Sequence, residues 1–167
     1  MSLEKFIVNP TACRFWYNIT GKPMYLNCLI EHNLNNEKIN EAYTLLIEEF
    51  IPKIDDKKVN QYDFAYTYFL YGEYLLRKGQ ISNAKHEMNK GFNLAVSSKK
   101  TETPRIMRRI IEQTVYQQLK GDLDFQKFKE QIAIKAMESF NTKTSMINYF
   151  SRGNKEKYES IAVEIGL

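Results

Sequence analysis

Cysteine, histidine, proline and glycine are all scarce in this chain. Only two cysteines, Cys13 and Cys28, and two histidines, His32 and His86, occur in 167 residues. They form no C-x-x-C or H-x-x-x-H pattern, so the ligand spacings of zinc and haem sites are missing and no cofactor is expected. Glycine-rich phosphate loops are missing too. Gly21-Lys22 lacks the preceding glycine of such a loop, and neither G-x-G-x-x-G nor G-x-S-x-G occurs. Four prolines and seven glycines leave few chain breakers, which argues for long helices over a fold of many short strands.

Long apolar runs are equally rare. Near the N-terminus Lys5 is followed only by Phe6, Ile7 and Val8 before Asn9 and Pro10, short of the apolar stretch of a signal peptide. No run approaches the length of a membrane span. The expectation is a cytoplasmic protein without a membrane partner, read as one helical domain over 1–167 that can also be a piece of a longer protein. In that compartment the two cysteines are read as separate, reduced thiols packed as small hydrophobes. Asn18-Ile19-Thr20 spells a glycosylation sequon, which has no meaning without export.

Aromatic residues are abundant. The chain has 11 Tyr and 10 Phe and is 43% hydrophobic, enough for a packed core in a domain of this length. Its net charge of +4 permits an acidic partner without demanding one. The most informative stretch is residues 62–97. Tyr62, Phe64, Tyr66 and Tyr68 alternate as in a strand, but the alternation then fails. Ala65, Tyr68, Gly72, Leu75 and Leu76 instead follow the three- and four-residue steps of one helix face. The spacing predicts a helix over 63–78 ended by a left-handed Gly79. Ser82 is assigned as the cap of a second helix with Ala84, Met88, Gly91, Phe92 and Ala95 on one face.

Elsewhere, Asn9 and Pro10 read as the cap and first residue of a short helix that Gly21 ends. A further helix starts at Pro23, and a third runs from Glu37 to just before Pro52. Trp16 is assigned as a packing anchor rather than a ligand platform. Beyond residue 103 the pattern continues through Ile106, Ile110, Ile111 and Val115, and then through Phe125, Ile132 and Phe140.

The order Tyr68, Gly72, Leu75, Gly79, Ala84, Met88, Gly91 resembles the tetratricopeptide repeat. In that family small residues let two helices of a pair approach closely while bulky ones fill the space beside them. Tyr68 stands where the family often has tryptophan, Gly91 where alanine is usual, and Val96 where a proline often closes the unit. A shift of 42 residues brings Ala42 to Ala84, Ile39 to Ile81 and Phe50 to Phe92, and a second shift brings Gly79 to Gly121. The family period is about 34 residues, so the polar segments 55–61 and 97–103 are assigned the excess. The resemblance implies an all-α fold: a short right-handed α-solenoid of about three degenerate helix pairs with a C-terminal capping helix.

The resemblance further implies a non-enzymatic module whose inner helix face binds a peptide or protein segment. The residues it places there are Asn27, Glu31, Tyr66, Phe69, Glu73, Arg77, Arg108 and Ile111. Tyr and Arg are residue types that carry binding energy at interfaces. A more pointed version is the ligand-sensing domain of a peptide-responsive bacterial transcription regulator, with a homodimer left open. No helix-turn-helix is recognisable, so any contact with nucleic acid in that version needs a further domain. The alternative is a nucleic-acid-binding helical protein using Lys99, Lys100, Arg105, Arg108 and Arg109, against which the lack of a continuous basic stripe counts. Paired acids such as Glu48-Glu49 and Asp55-Asp56 diverge on a helix or lie in a linker, so they offer no acid and base across a substrate.

Overall fold

The computed structural model describes residues 9–97 together with Ile106 and Arg109, and every described element is helical. The chain divides into two compact units, Met1–Gly91 and Phe92–Leu167. In the first unit, α1 (Pro10–Thr20) turns through Gly21 into α2 (Pro23–Asn35). A third helix follows in three parts: α3 (Ile39–Leu45), a wide π turn (Leu46–Phe50) and α4 (Ile51–Ile54). A 3₁₀ turn (Gln61–Phe64) leads into α5 (Ala65–Arg77), and α6 (Ile81–Ser97) crosses from the first unit into the second. Among the described residues there is no strand. The aromatic alternation at 62–68 belongs to the 3₁₀ turn and the start of α5.

The ends of these helices follow from their cap residues. The Asn9 side-chain Oδ1 accepts from the backbone N–H of Thr11 (3.0 Å) and Ala12 (3.2 Å), which satisfies donors that the first turn leaves free. Gly21, at φ 62°, donates its N–H to Tyr17 and ends α1. Gly79, at φ 77°, ends α5: Gly79 N–H donates to Leu76 and Gln80 N–H to Leu75, the paired pattern of a left-handed helix stop. The second helix of this pair starts earlier than the sequence suggests. Ala84 N–H donates to the Gln80 carbonyl, so Ser82 lies inside the first turn of α6 rather than at its cap.

Pro52 does not end the third helix, as the sequence predicts, because the helix widens instead. Proline lacks an N–H, and its ring clashes with the carbonyl four residues back in a regular α-helix. The Ile51 N–H donates to Leu46, five residues back. That wider turn accommodates the proline, and the helix runs on to Ile54.

α2 touches α1, α3 and α5, and α5 also touches α3. Leu26, Asn27, Cys28, Leu29 and Ile30 are five consecutive buried residues, and in α5 everything from Ala65 to Leu76 is buried except Tyr71. A helix covered on all sides is a core helix. Phe50 from the π turn packs edge-on against Tyr68 with centroids 5.0 Å apart, and it also meets Phe64 and Tyr71. α5 and α6 approach most closely at glycines, as the sequence predicts. Gly72 lies against Ala84 and Met88, and Gly91 against Ala65, Tyr68 and Phe69. In the second unit Phe92, Ala95, Ile106 and Arg109 are buried.

One expectation is overturned. Cys13 and Cys28 are not separate thiols: they form a disulfide, with Cα atoms 6.4 Å apart. The Gly21 turn folds α1 back along α2 and brings the two buried cysteines together, within the usual Cα separation of a bridged pair. Absence of an export signal and placement on two different helices both point to free thiols, but two helices folded back on each other can bring their cysteines within bridging distance.

Candidate functional site

Six of the eight predicted residues fall on α2 and α5, which lie side by side, and the structure places five of these in a row of polar contacts. Asn27 sits in the all-buried part of α2, and its Oδ1 accepts from the Thr67 hydroxyl at 2.6 Å. Glu31, one helical turn on and half-buried, accepts a hydrogen bond from the Tyr66 hydroxyl. At the far end Arg77 donates to Glu73 at 3.0 Å along its own helix and to Glu37 at 3.1 Å, just beyond α2. The Glu73 side chain is wholly buried while that of Glu37 is 78% exposed, so Arg77 connects an interior carboxylate to one in water.

A buried carboxylate is tolerable only when paired and hydrogen-bonded. The Arg77 guanidinium supplies that partner to Glu73, with its fork of donors reaching two carboxylates at once. Its Nε is buried without a hydrogen-bond partner. The row therefore ends in an arginine whose donors are not all used.

Of the other predicted residues, Phe69 is completely buried in α5 and makes no part of an open surface. Tyr66 and Glu73 are also interior. Glu31 and Arg77 are the two that stay half-buried and reach toward solvent. Arg108 and Ile111 lie outside the described residues. So do Lys99, Lys100 and Arg105 of the basic cluster, whereas Arg109 is helical and buried. Its burial removes it from any freely exposed phosphate-contacting face.

Thr67 and Glu37 were not foreseen. Thr67 carries the one aliphatic hydroxyl of α5, and a buried hydroxyl requires a partner; that requirement is the signal the sequence holds. The observed contacts join residues 40 apart in Asn27–Thr67 and Glu37–Arg77, and 35 apart in Glu31–Tyr66. The 42-residue shift relates equivalent positions, not touching ones, and so gave no pairing.

Tyrosines gather on the α3 side of α5. The Tyr43 and Tyr74 rings are 5.6 Å apart, and Tyr71 stacks on Tyr74 at 6.3 Å. Burial, together with the Glu87 carboxylate, pushes the Tyr71 phenol above its ordinary pKa, and burial with Tyr43 does the same for Tyr74. These phenols stay protonated at neutral pH. Among the described residues, no group of three or more His, Cys, Asp or Glu is placed to hold a metal ion. No described helix is long and apolar enough to cross a membrane. Compared with known proteins, the chain matches no family model, no curated protein and no solved structure. The described residues form an all-helical assembly with a row of polar contacts between α2 and α5.

Proposed function

We propose that this domain is a non-enzymatic helical module, built from tetratricopeptide-like pairs, that binds a peptide or protein segment along the polar row shared by α2 and α5. The observation that carries the reading is the Asn27–Thr67, Glu31–Tyr66 and Glu73–Arg77–Glu37 series. Apolar side chains would stabilise a purely structural helix contact at least as well, because each buried polar pair must first offset its own desolvation. A row that alternates amide, carboxylate and guanidinium matches the needs of an extended peptide, whose backbone and termini present both donors and acceptors. In this reading Glu31 and Arg77 make the contacts, while Tyr66, Phe69 and Glu73 hold them in place from beneath.

The close packing of α5 on α6 at Gly72, Ala84 and Gly91 supports the repeat-like arrangement. The more pointed form, the ligand-sensing domain of a peptide-responsive transcription regulator in the cytoplasm, rests on the same resemblance. A nucleic-acid role through the basic cluster has less support, since Arg109 is buried. Recovering bound peptides on the purified protein from its source cell, then measuring their affinity for the Glu31→Gln and Tyr66→Phe variants, tests the proposal. Peptides that bind the variants as tightly as the parent would contradict it.

A further inference from the structure

A row of aromatic rings runs from the core of the first unit to its surface along the α3 side of α5. Phe50 is wholly buried and meets Tyr71 at 6.1 Å. Tyr71 stacks on Tyr74 at 6.3 Å with the ring planes 14° apart, and Tyr74 meets Tyr43 at 5.6 Å. Tyr71 is half-buried, and Tyr43, the outermost ring, is 46% exposed. A packed tyrosine usually finds a partner for its hydroxyl. Among the described residues none of these three hydroxyls makes a hydrogen bond, and none is enclosed. Phenylalanine would fill the same space; the hydroxyls add donors and acceptors that the protein itself does not use.

A carboxylate stands at the Tyr71 end of the row. Glu87 of α6 is half-buried and close enough to Tyr71 for its charge to raise the phenol. The ion pairs among the described residues are Arg14–Glu49, Arg77–Glu37 and Arg77–Glu73, and none includes Glu87. Lys90, almost one turn further along α6, lies over the Tyr68 ring instead, with its ammonium 4.6 Å from the ring centre. The face of an aromatic ring is electron-rich, so rings and carboxylate together present a negative potential that suits a cation from outside.

We propose that the Tyr43–Tyr74–Tyr71 row and Glu87 form a docking site for the side chain of an arginine carried by a partner protein segment. A planar guanidinium can lie on a tyrosine ring and at the same time donate in its own plane to a carboxylate. An ammonium is a compact, strongly hydrated point charge and gains less from the ring. The tyrosine hydroxyls are left to donate to backbone carbonyls on either side of the arginine. This site lies on the α3 side of α5, whereas the polar row lies on the α2 side, so it is a second contact surface and does not depend on the first.

The test titrates the whole chain with acetylated, amidated Gly-Gly-Arg-Gly-Gly while the ring signals of Tyr43 and Tyr71 are followed by nuclear magnetic resonance. Counterparts with lysine and with citrulline, which keeps the shape of arginine but not its charge, are compared. The expected result is a saturable shift of both rings with the arginine peptide, an affinity about 3-fold lower with lysine, and no saturation with citrulline. Glu87→Gln should weaken arginine binding by about 5-fold and Tyr43→Leu by about 3-fold, while Tyr43→Phe, which keeps the ring face, should weaken it less. Both positions reach the surface, and amide spectra show that the variants are folded. Asp55→Asn, exposed at the end of α4, removes the same charge elsewhere and should leave the affinity unchanged. Absence of a saturable shift, equal affinity for the arginine and citrulline peptides, or equal weakening by Glu87→Gln and Asp55→Asn overturns the site.

Discussion

Gly91 of α6 faces the backbone of α5 so closely that a Cβ placed on it would meet the Ala65 carbonyl oxygen at 2.5 Å and the Phe69 nitrogen at 2.9 Å. Backbone atoms cannot swing aside as a flexible side chain can. Gly91→Leu should therefore overpack the helix pair and cost about 1 to 3 kcal/mol. At Gly79 there is open space but a φ of 77°, so Gly79→Ala should cost about 1 kcal/mol through backbone strain alone. Urea unfolding of both variants checks the pair. Gly91→Leu at parental stability would show that the two helices are not in contact there.

The Asn27–Thr67 hydrogen bond is enclosed on both sides. Truncating either partner strands the other, at about 1 to 3 kcal/mol. Asn27→Leu with Thr67→Val removes both polar groups and should cost less than the two single changes added together. A double-mutant cycle measures this coupling, and strict additivity would deny the contact.

Arg77 and Glu37 should differ sharply although they are bonded to each other. Removing Arg77 takes its ion-pair partner from the buried Glu73 carboxylate, at about 3 to 5 kcal/mol. Removing the exposed Glu37 should cost less than about 1 kcal/mol. Thermal unfolding of Arg77→Ala and Glu37→Ala checks the order.

Burial, the charge of Glu49 and its closeness to the hydroxyl push the Tyr17 phenol from 10.0 up to about 12, with Arg14 opposing. The unfolded chain loses this proton near its ordinary value while the folded one keeps it. The contribution to stability is therefore complete below pH 10 and is lost as pH rises toward 12. Tyr71 and Tyr74, also raised, act in the same direction. Stability measured across this range should fall less steeply in Tyr17→Phe than in the parent; equal slopes would contradict the assignment.

The sequence made most of the helix ends readable, because their causes are local. Asn9, Pro10, Gly21 and Gly79 each act within one turn of themselves. The glycine contacts were readable too, since Gly72, Ala84 and Gly91 recur at helical spacing. Ser82 misled because a serine suits both a cap and the first turn, and only the Gln80 carbonyl decides between them. The disulfide and the Thr67 and Glu37 contacts were not readable. Each depends on how neighbouring helices slide and rotate against one another, which periodicity within a single helix does not specify. The six candidate residues on α2 and α5 lie on adjacent helices, but which of them are interior and which half-buried is set by the packing and not by periodicity.

The most direct test of the central claim measures the affinity of a recovered peptide, and of generic DNA and RNA, over a series of salt concentrations. The proteins compared are the parent, Glu31→Gln, Tyr66→Phe and Lys99→Ala/Lys100→Ala. The account predicts that Glu31→Gln or Tyr66→Phe weakens peptide binding by about 1 to 2 kcal/mol, as interface anchors do, and that the double lysine change leaves it intact. Tight nucleic-acid binding whose salt slope falls by about one unit for each lysine removed, unchanged in Glu31→Gln and Tyr66→Phe and unaccompanied by any retained peptide, would contradict it.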